Sequence, residues 1–269
     1  MGVPKLVITL LLGFTPIFCI QPARAKSENA FSAWIVESPE ITSEPITLKK
    51  GDFLQRARLL PVGLIELTAD TRIGPKEDDV IHAGAQLFEL AGGTIYRPSR
   101  SSAGVFCQMK TFETVSKGAF GKSVVQYRYC LVDRERDGTI EDVVVAGYCP
   151  YDLPLVSIKV PSGPPTLTGS TYRRIPVKDF RDGPMVGIAF SGIAPLDGDP
   201  RFIQAFGSGN AVPLFGEKHS RAGDIPGQRI SFGGAFTVLH TEGQTVTIRN
   251  DRPIPPQPFG IVRTGPCKG

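Results

Sequence analysis

The chain has 269 residues, 41% of them hydrophobic, with 30 Lys and Arg against 26 Asp and Glu and a formal net charge of +4. That length supports one large core or two small ones. A charge this near balance, with no basic stripe interleaved with aromatics, argues against a nucleic-acid partner. The 30 Gly and 24 Pro are spread throughout, so long helices are hard to place and an all-β chain of short antiparallel strands and hairpins is expected.

Residues 1–25 read as a signal peptide. Lys5 precedes the apolar run Leu6–Phe14, and Ala-Arg-Ala ends at Ala25 with small residues where a signal peptidase cuts. The run is too short for a stable membrane span, and no later one approaches that length, so no integral membrane segment is expected after cleavage. The expected product is periplasmic or secreted, with a net charge of about +2. Cys19 falls within the signal. The four remaining cysteines, Cys107, Cys130, Cys149 and Cys267, are an even set in an exported chain and read as two disulfides, with all three pairings open. Zinc is the alternative, but no Cys-x-x-Cys pair is present and no His lies near a cysteine.

The first β-rich unit is expected over 26–160. "PITLKK" (45–50) leads through Gly51 into "FLQRARLLPV" (53–62) and "LIELTADTRI" (64–73). The last alternates, with Leu64, Glu66, Thr68 and Asp70 opposing Ile65, Leu67 and Ala69. The charged loop 74–79 is followed by "VIHAGAQLFEL" (80–90) and "GTIYRP" (93–98). "VFCQMKTFETV" (105–115) and "SVVQYRYCLVD" (123–133) flank a hairpin loop at 116–122. The second of these places Val125, Tyr127, Tyr129 and Leu131 on one face, and Gln126, Arg128 and Cys130 on the other.

"DRERDGTIED" (133–142) carries Asp133, Glu135 and Asp137 at alternate positions before Gly138. It resembles the start of a calcium loop, in which alternate carboxylates converge on one cation and the glycine permits a sharp turn. Glu135 is longer than the usual Asp or Asn, and Val144 stands where a bidentate Glu belongs. Glu141 or Asp142 could substitute, so Asp133, Glu135, Asp137 and Glu141 form a candidate weak calcium site. The competing reading is a hairpin turned by Asp-Gly, with Arg134 and Arg136 partly neutralising the acids. A turn centred near Asp137 sets Cys130 opposite Val144 and away from Cys149, so both cysteines are expected to bridge to other strands.

A Pro- and Gly-rich linker is expected at 161–170, then a C-terminal β-rich unit over 171–250 and a proline-rich tail over 251–269. The second unit would hold "MVGIAF" (185–190), "ISFGGAFTVLH" (230–240) and "QTVTIRN" (244–250). Between them, 195–227 reads as a long loop with one helical turn at "RFIQAF" (201–206).

Catalytic motifs fail on their spacing. Gly121–Ser123 ends like a phosphate loop, but Ser116 stands where the earlier glycine is required. Gly207–Asn210 lacks the third glycine of a dinucleotide fingerprint, with Val212 in its place. No serine has glycines two residues to either side, and His82, His219 and His240 show no metal spacing. Asp197, Asp199, His219 and Asp224 fall in one loop and are the candidate catalytic residues of a secreted hydrolase acting on glycan or peptide. The favoured expectation is an exported, disulfide-stabilised, non-enzymatic protein, associated with the envelope or binding a partner protein or glycan. A weakly calcium-binding surface module is the third alternative. Trp34 and the phenylalanines fit core or interface, with sugar stacking as the alternative.

Overall fold

Period-two alternation of apolar residues marks strands such as Thr245–Arg252, where buried Val246, Ile248 and Asn250 alternate with more exposed neighbours. The structure is a computed structural model that describes residues 29–75, 79–94, 97–99, 101–118, 121–148, 157–159, 161, 166–167, 169–181, 183–207, 221–222 and 227–259. Among them there is no α-helix and one 3-10 turn, Val177–Asp179, and every ladder is antiparallel. The protein is all-β, as its composition implies.

The main strands in chain order are β1 (Trp34–Val36), β2 (Ile46–Lys49), β3 (Phe53–Pro61), β4 (Leu64–Leu67), β5 (Gln86–Glu89), β6 (Gly104–Gln108), β7 (Phe112–Gly118), β8 (Gly121–Asp133), β9 (Thr139–Ile140), β10 (Asp142–Tyr148), β11 (Ser170–Arg174), β12 (Met185–Ile193), β13 (Pro200–Gly207), β14 (Gln228–Ser231), β15 (Gly234–Glu242) and β16 (Thr245–Arg252).

Strands β4 to β11 pair in the order β8-β6-β5-β4-β11-β9. Strand β9 runs straight on into β10, and β10 pairs with the opposite edge of β8, from Val132↔Asp142 to Gln126↔Tyr148. The ladder therefore closes on itself as a small barrel. Its interior is filled by one residue layer from each wall: Ile65 and Leu67 of β4, Leu87 of β5, Phe106 of β6, Leu131 of β8 and Ile140 of β9, with Val143 and Tyr172 packed against them. A barrel of this size has room for side chains only. The alternate residues point outward. Leu64, Phe88, Cys107, Cys130 and Val132 join a second, larger core that includes Trp34, Leu59 and Phe180.

The disulfide lies on that outer face. Register places Cys107 of β6 directly opposite Cys130 of β8, and the two are bonded. Cys130 has Val144 on its other side, as the turn centre implies. Cys149 and Cys267 lie outside the described residues, so the expected second bridge does too.

The remaining strands form two further sheets. β13, β12, β3 and β1 make one, edged by Pro258–Phe259. β14, β15, β16 and β2 make the other, edged by Arg221–Ala222. Between them Phe202 packs on Phe190 and Phe236, with ring centroids 5.6 and 4.6 Å apart. Gln55 of β3 crosses from one sheet to the other, donating to Asn250 Oδ1 and the Arg252 carbonyl and accepting the Ile254 N–H.

Sheet membership does not follow chain order. N-terminal β2 and β3 pair with C-terminal β16 and β12, while the barrel strands β4 to β11 lie between them in the chain. Within 161–170, Thr166 and Leu167 donate to the Glu141 carbonyl, and β11, which begins at Ser170, lies in the barrel wall. "RFIQAF" is not a helical turn. It is most of β13, paired with β12, and its Phe202 and Phe206 are buried against Phe236 and Phe259. Of the proline-rich tail, 251–259 is described: Ile254 is buried and Pro258–Phe259 pairs with β1.

Candidate functional site

Along β8 the residues Tyr127, Tyr129, Leu131 and Asp133 face the same way, into the barrel. The acidic stretch therefore stands at one end of the barrel and the tyrosines at the other.

At the acidic end, Asp133 is fully buried. Its Oδ1 accepts the Asp137 N–H (3.2 Å). Its Oδ2 accepts the Gly138 N–H (3.0 Å) and the Tyr172 hydroxyl (2.7 Å), which arrives from β11 across the barrel. Burial and the Asp133 charge push the Tyr172 phenol well above its ordinary range. Gly138 has φ +98°, the positive value expected of an Asp-Gly turn. Arg136 is also left-handed at φ +59°, which costs a non-glycine residue about 1–2 kcal/mol. Its side chain accounts for that conformation. The guanidinium folds under the loop to the Ser101 and Ala103 carbonyls (both 3.0 Å) and to Glu89 Oε1 (2.7 Å). Glu89 Oε2 takes Arg174 at 2.8 Å. Burial raises the Glu89 pKa, but the hydrogen bonds from Arg174 and Arg136 outweigh it, leaving the carboxyl below its ordinary value. A Cβ on Gly63 would overlap the Glu89 carboxylate, so glycine is required there. This end is thus closed by a polar plug of two carboxylates and two guanidiniums, with Tyr172 joining them.

Of the four calcium candidates, Asp133, Asp137 and Glu141 converge, one ligand atom from each lying within 4.8 Å of the others. Glu135 is exposed. Both Asp133 oxygens are already engaged, and Glu141 Oε2 accepts the Arg134 N–H at 2.9 Å. Burial pushes the Glu141 carboxyl up, helped by the charges of Glu135 and Asp133 and opposed by the Arg134 N–H. Arg134 itself is paired with Asp142. Protein donors therefore hold the loop shut.

The opposite end is aromatic. Tyr129 lies between Phe112 (5.1 Å) and Tyr127 (5.5 Å), and Phe112 stacks on Tyr127 at 5.7 Å. The Lys110 ammonium stands 5.0 Å over the Phe112 ring. Burial, the Tyr127 hydroxyl and the Asp79 carboxylate raise the Tyr129 pKa. Cross-strand register sets Val145 opposite Tyr129 and Gly147 opposite Tyr127. Val145 faces the barrel axis yet is 59% exposed, so the wall is open to solvent at this level. Sequence reasoning placed Tyr127, Tyr129 and Leu131 on one face but assigned them no role. The signal for one was two tyrosines continuing an apolar face past the last fully buried layer.

The hydrolase candidates divide. Asp197 and Asp199 sit in the exposed tip joining β12 and β13, where Asp197 Oδ1 accepts the Asp199 N–H and Gly198 has φ +70°. Leu196 beside them is 99% exposed. This is an ordinary turn. His219 and Asp224 lie outside the described residues. His82 contacts Asp70 at 3.3 Å with both side chains in solvent, and His240 is exposed. Trp34 is not available for sugar stacking: it is 1% exposed and packs on Phe88 and Phe180 in the larger core. Comparison with protein families, curated proteins and solved structures finds no match for this chain.

Proposed function

We propose that this chain is an exported β protein, stabilised by disulfide bonding, that works in the cell envelope by binding and not by catalysis. The observation that carries the reading is the contrast between the two barrel ends. The acidic end directs its carboxylates to protein donors, while the other gathers half-buried aromatic rings beside an exposed valine. Export is supported by the leader-like pattern ending at Ala25 and by the Cys107–Cys130 bond, which belongs to oxidising compartments. Among the described residues no helix is long and apolar enough to cross a membrane.

The test is saturation-transfer NMR on the purified protein with a pool of short envelope glycans and peptides, while mass spectrometry follows the same pool for products. Transfer without turnover supports binding. Turnover that disappears in Asp197→Asn or Asp199→Asn replaces it with the hydrolase reading.

A further inference from the structure

Among the described residues, two besides glycine take a positive φ: Arg136, held by Glu89, and Phe232 at +49°. Phe232 and Gly233, the latter at φ +79°, are the central pair of the turn joining β14 to β15, where the register closes at Ser231↔Gly234. A two-residue turn with both centres left-handed suits Asn-Gly or Gly-Gly, and a bulky side chain at the first position is disfavoured. The hairpin alone therefore gives no reason for a phenylalanine here.

The C-terminal tail supplies one. The Phe232 ring meets Phe259 edge-on at 6.0 Å, and Phe259 also packs on Phe206 of β13 at 5.2 Å. The Phe232 carbonyl accepts Gln257 Nε2 (2.6 Å), and the Gly233 carbonyl accepts Arg252 Nε (3.0 Å). A Cβ on Gly233 would stand 3.0 Å from the Pro255 ring. Arg252, Pro255, Gln257 and Phe259 thus all bear on one turn. The tail is unevenly anchored. Ile254 is fully buried, and its N–H donates to Gln55 Oε1. Beyond it, Pro256 and Pro258 are exposed, while Gln257 and Phe259 are half-buried. Pro255, Pro256 and Pro258 have no N–H to donate. Against β1 the tail makes the Pro258–Phe259 ladder and takes the Val36 N–H on the Gln257 carbonyl at 2.9 Å. A chain end with few buried apolar contacts opens at lower free energy than the sheets it lies on.

We infer that the Ser231–Gly234 turn is the latch of a C-terminal strap. Phe232 is kept in a conformation its backbone disfavours because its ring holds Phe259. Residues 255–259 open about Ile254 as one unit, baring the β1 edge while both sheets stay folded.

The test is amide hydrogen exchange by NMR on the purified, oxidised protein. The Val36 amide reports the strap, through its bond to Gln257, and the Ile254 amide reports the anchor. The Ile248 amide, in a strand paired on both sides, reports opening of the sheet. Val36 is expected to exchange at least about tenfold faster than Ile254 and Ile248. Phe232→Asn, which suits the turn, should speed Val36 about three- to tenfold, the worth of one aromatic contact, and Phe259→Ala should do the same. Because both remove one contact, the double variant should exchange at Val36 no more than about twice as fast as the faster single. Ile248 should move less than Val36 in every variant. If Phe232→Asn fails to fold, Gln257→Ala, which deletes the bond to the Phe232 carbonyl, should speed Val36 in the same selective way. Val36 exchanging as slowly as Ile254 and Ile248 would overturn the strap. Phe232→Asn and Gln257→Ala leaving Val36 unchanged, or the two phenylalanine effects multiplying in the double variant, would overturn the latch.

Discussion

Replacing Glu89 should be among the costliest single changes outside the apolar core. The carboxylate is 5% exposed and holds two guanidiniums, Arg136 at 14% and Arg174 at 41% side-chain exposure. Glu89→Ala strands both. Breaking a buried pair costs about 3–5 kcal/mol, because a charge is left without its partner. Arg174 can turn to solvent, so its share is small. Arg136 keeps the Ser101 and Ala103 carbonyls but loses its counter-ion beneath a loop that depends on it. The expected loss is about 3 kcal/mol, or about 6–12 °C in melting temperature for a chain of this size. Glu89→Gln keeps the shape and an acceptor and should lose about 1–2 kcal/mol. Urea unfolding with an unchanged slope is the assay. The pH dependence gives a second reading. The folded pKa of Glu89 lies below its unfolded value, so its contribution is fully present above the unfolded value, near pH 4.5, and is lost as pH falls through the lower folded one. The difference between wild type and Glu89→Gln should therefore be flat near neutrality and shrink in acid. Losses under about 0.5 kcal/mol for both variants, the range of ordinary surface substitutions, would refute the plug as a structural unit.

Other expectations follow from the same geometry. Cys107→Ser with Cys130→Ser opens a loop with a sequence separation of 23 and should cost about 3 kcal/mol, read by urea unfolding with wild type kept oxidised. Tyr172→Phe should cost about 1–2 kcal/mol by removing one of three donors to a buried carboxylate. In wild type the Tyr172 phenol should stay silent in an absorbance titration through the ordinary tyrosine range, since its pKa is raised. Asp133→Asn should destabilise equally in calcium and in chelator; a calcium-dependent melting rise that Asp137→Ala abolishes would favour the calcium reading of this loop. Asp197→Ala and Asp199→Ala, at an exposed turn, should stay within about 0.5 kcal/mol and leave ligand binding unchanged.

What the sequence revealed was local. Period-two alternation located the strands and put Tyr127, Tyr129 and Leu131 on one face, because side-chain direction along a strand depends only on parity. The Asp-Gly pair announced the positive φ at Gly138, and the turn centre predicted Val144 opposite Cys130. Partner choice across long separations was not legible. Nothing in "PITLKK" says that it will lie beside Thr245–Ile248, because a half-buried strand fits many neighbours and the selection is made by the assembled core. "RFIQAF" shows the same limit: it pairs along its edge with β12, and Phe202 and Phe206, on one face of the strand, are both buried by distant parts of the chain. Arg136 was read as neutralising neighbouring acids in its own loop. It crosses instead to Glu89, a contact that exists only once the barrel has closed.

The account stands most directly on intact-mass and non-reducing peptide mapping of the protein recovered from the envelope fraction of cells making the full chain. The expected result is a chain starting at Lys26 that yields a linked peptide joining Cys107 to Cys130. A chain that keeps its first 25 residues, or free thiols at both of those cysteines, would contradict it.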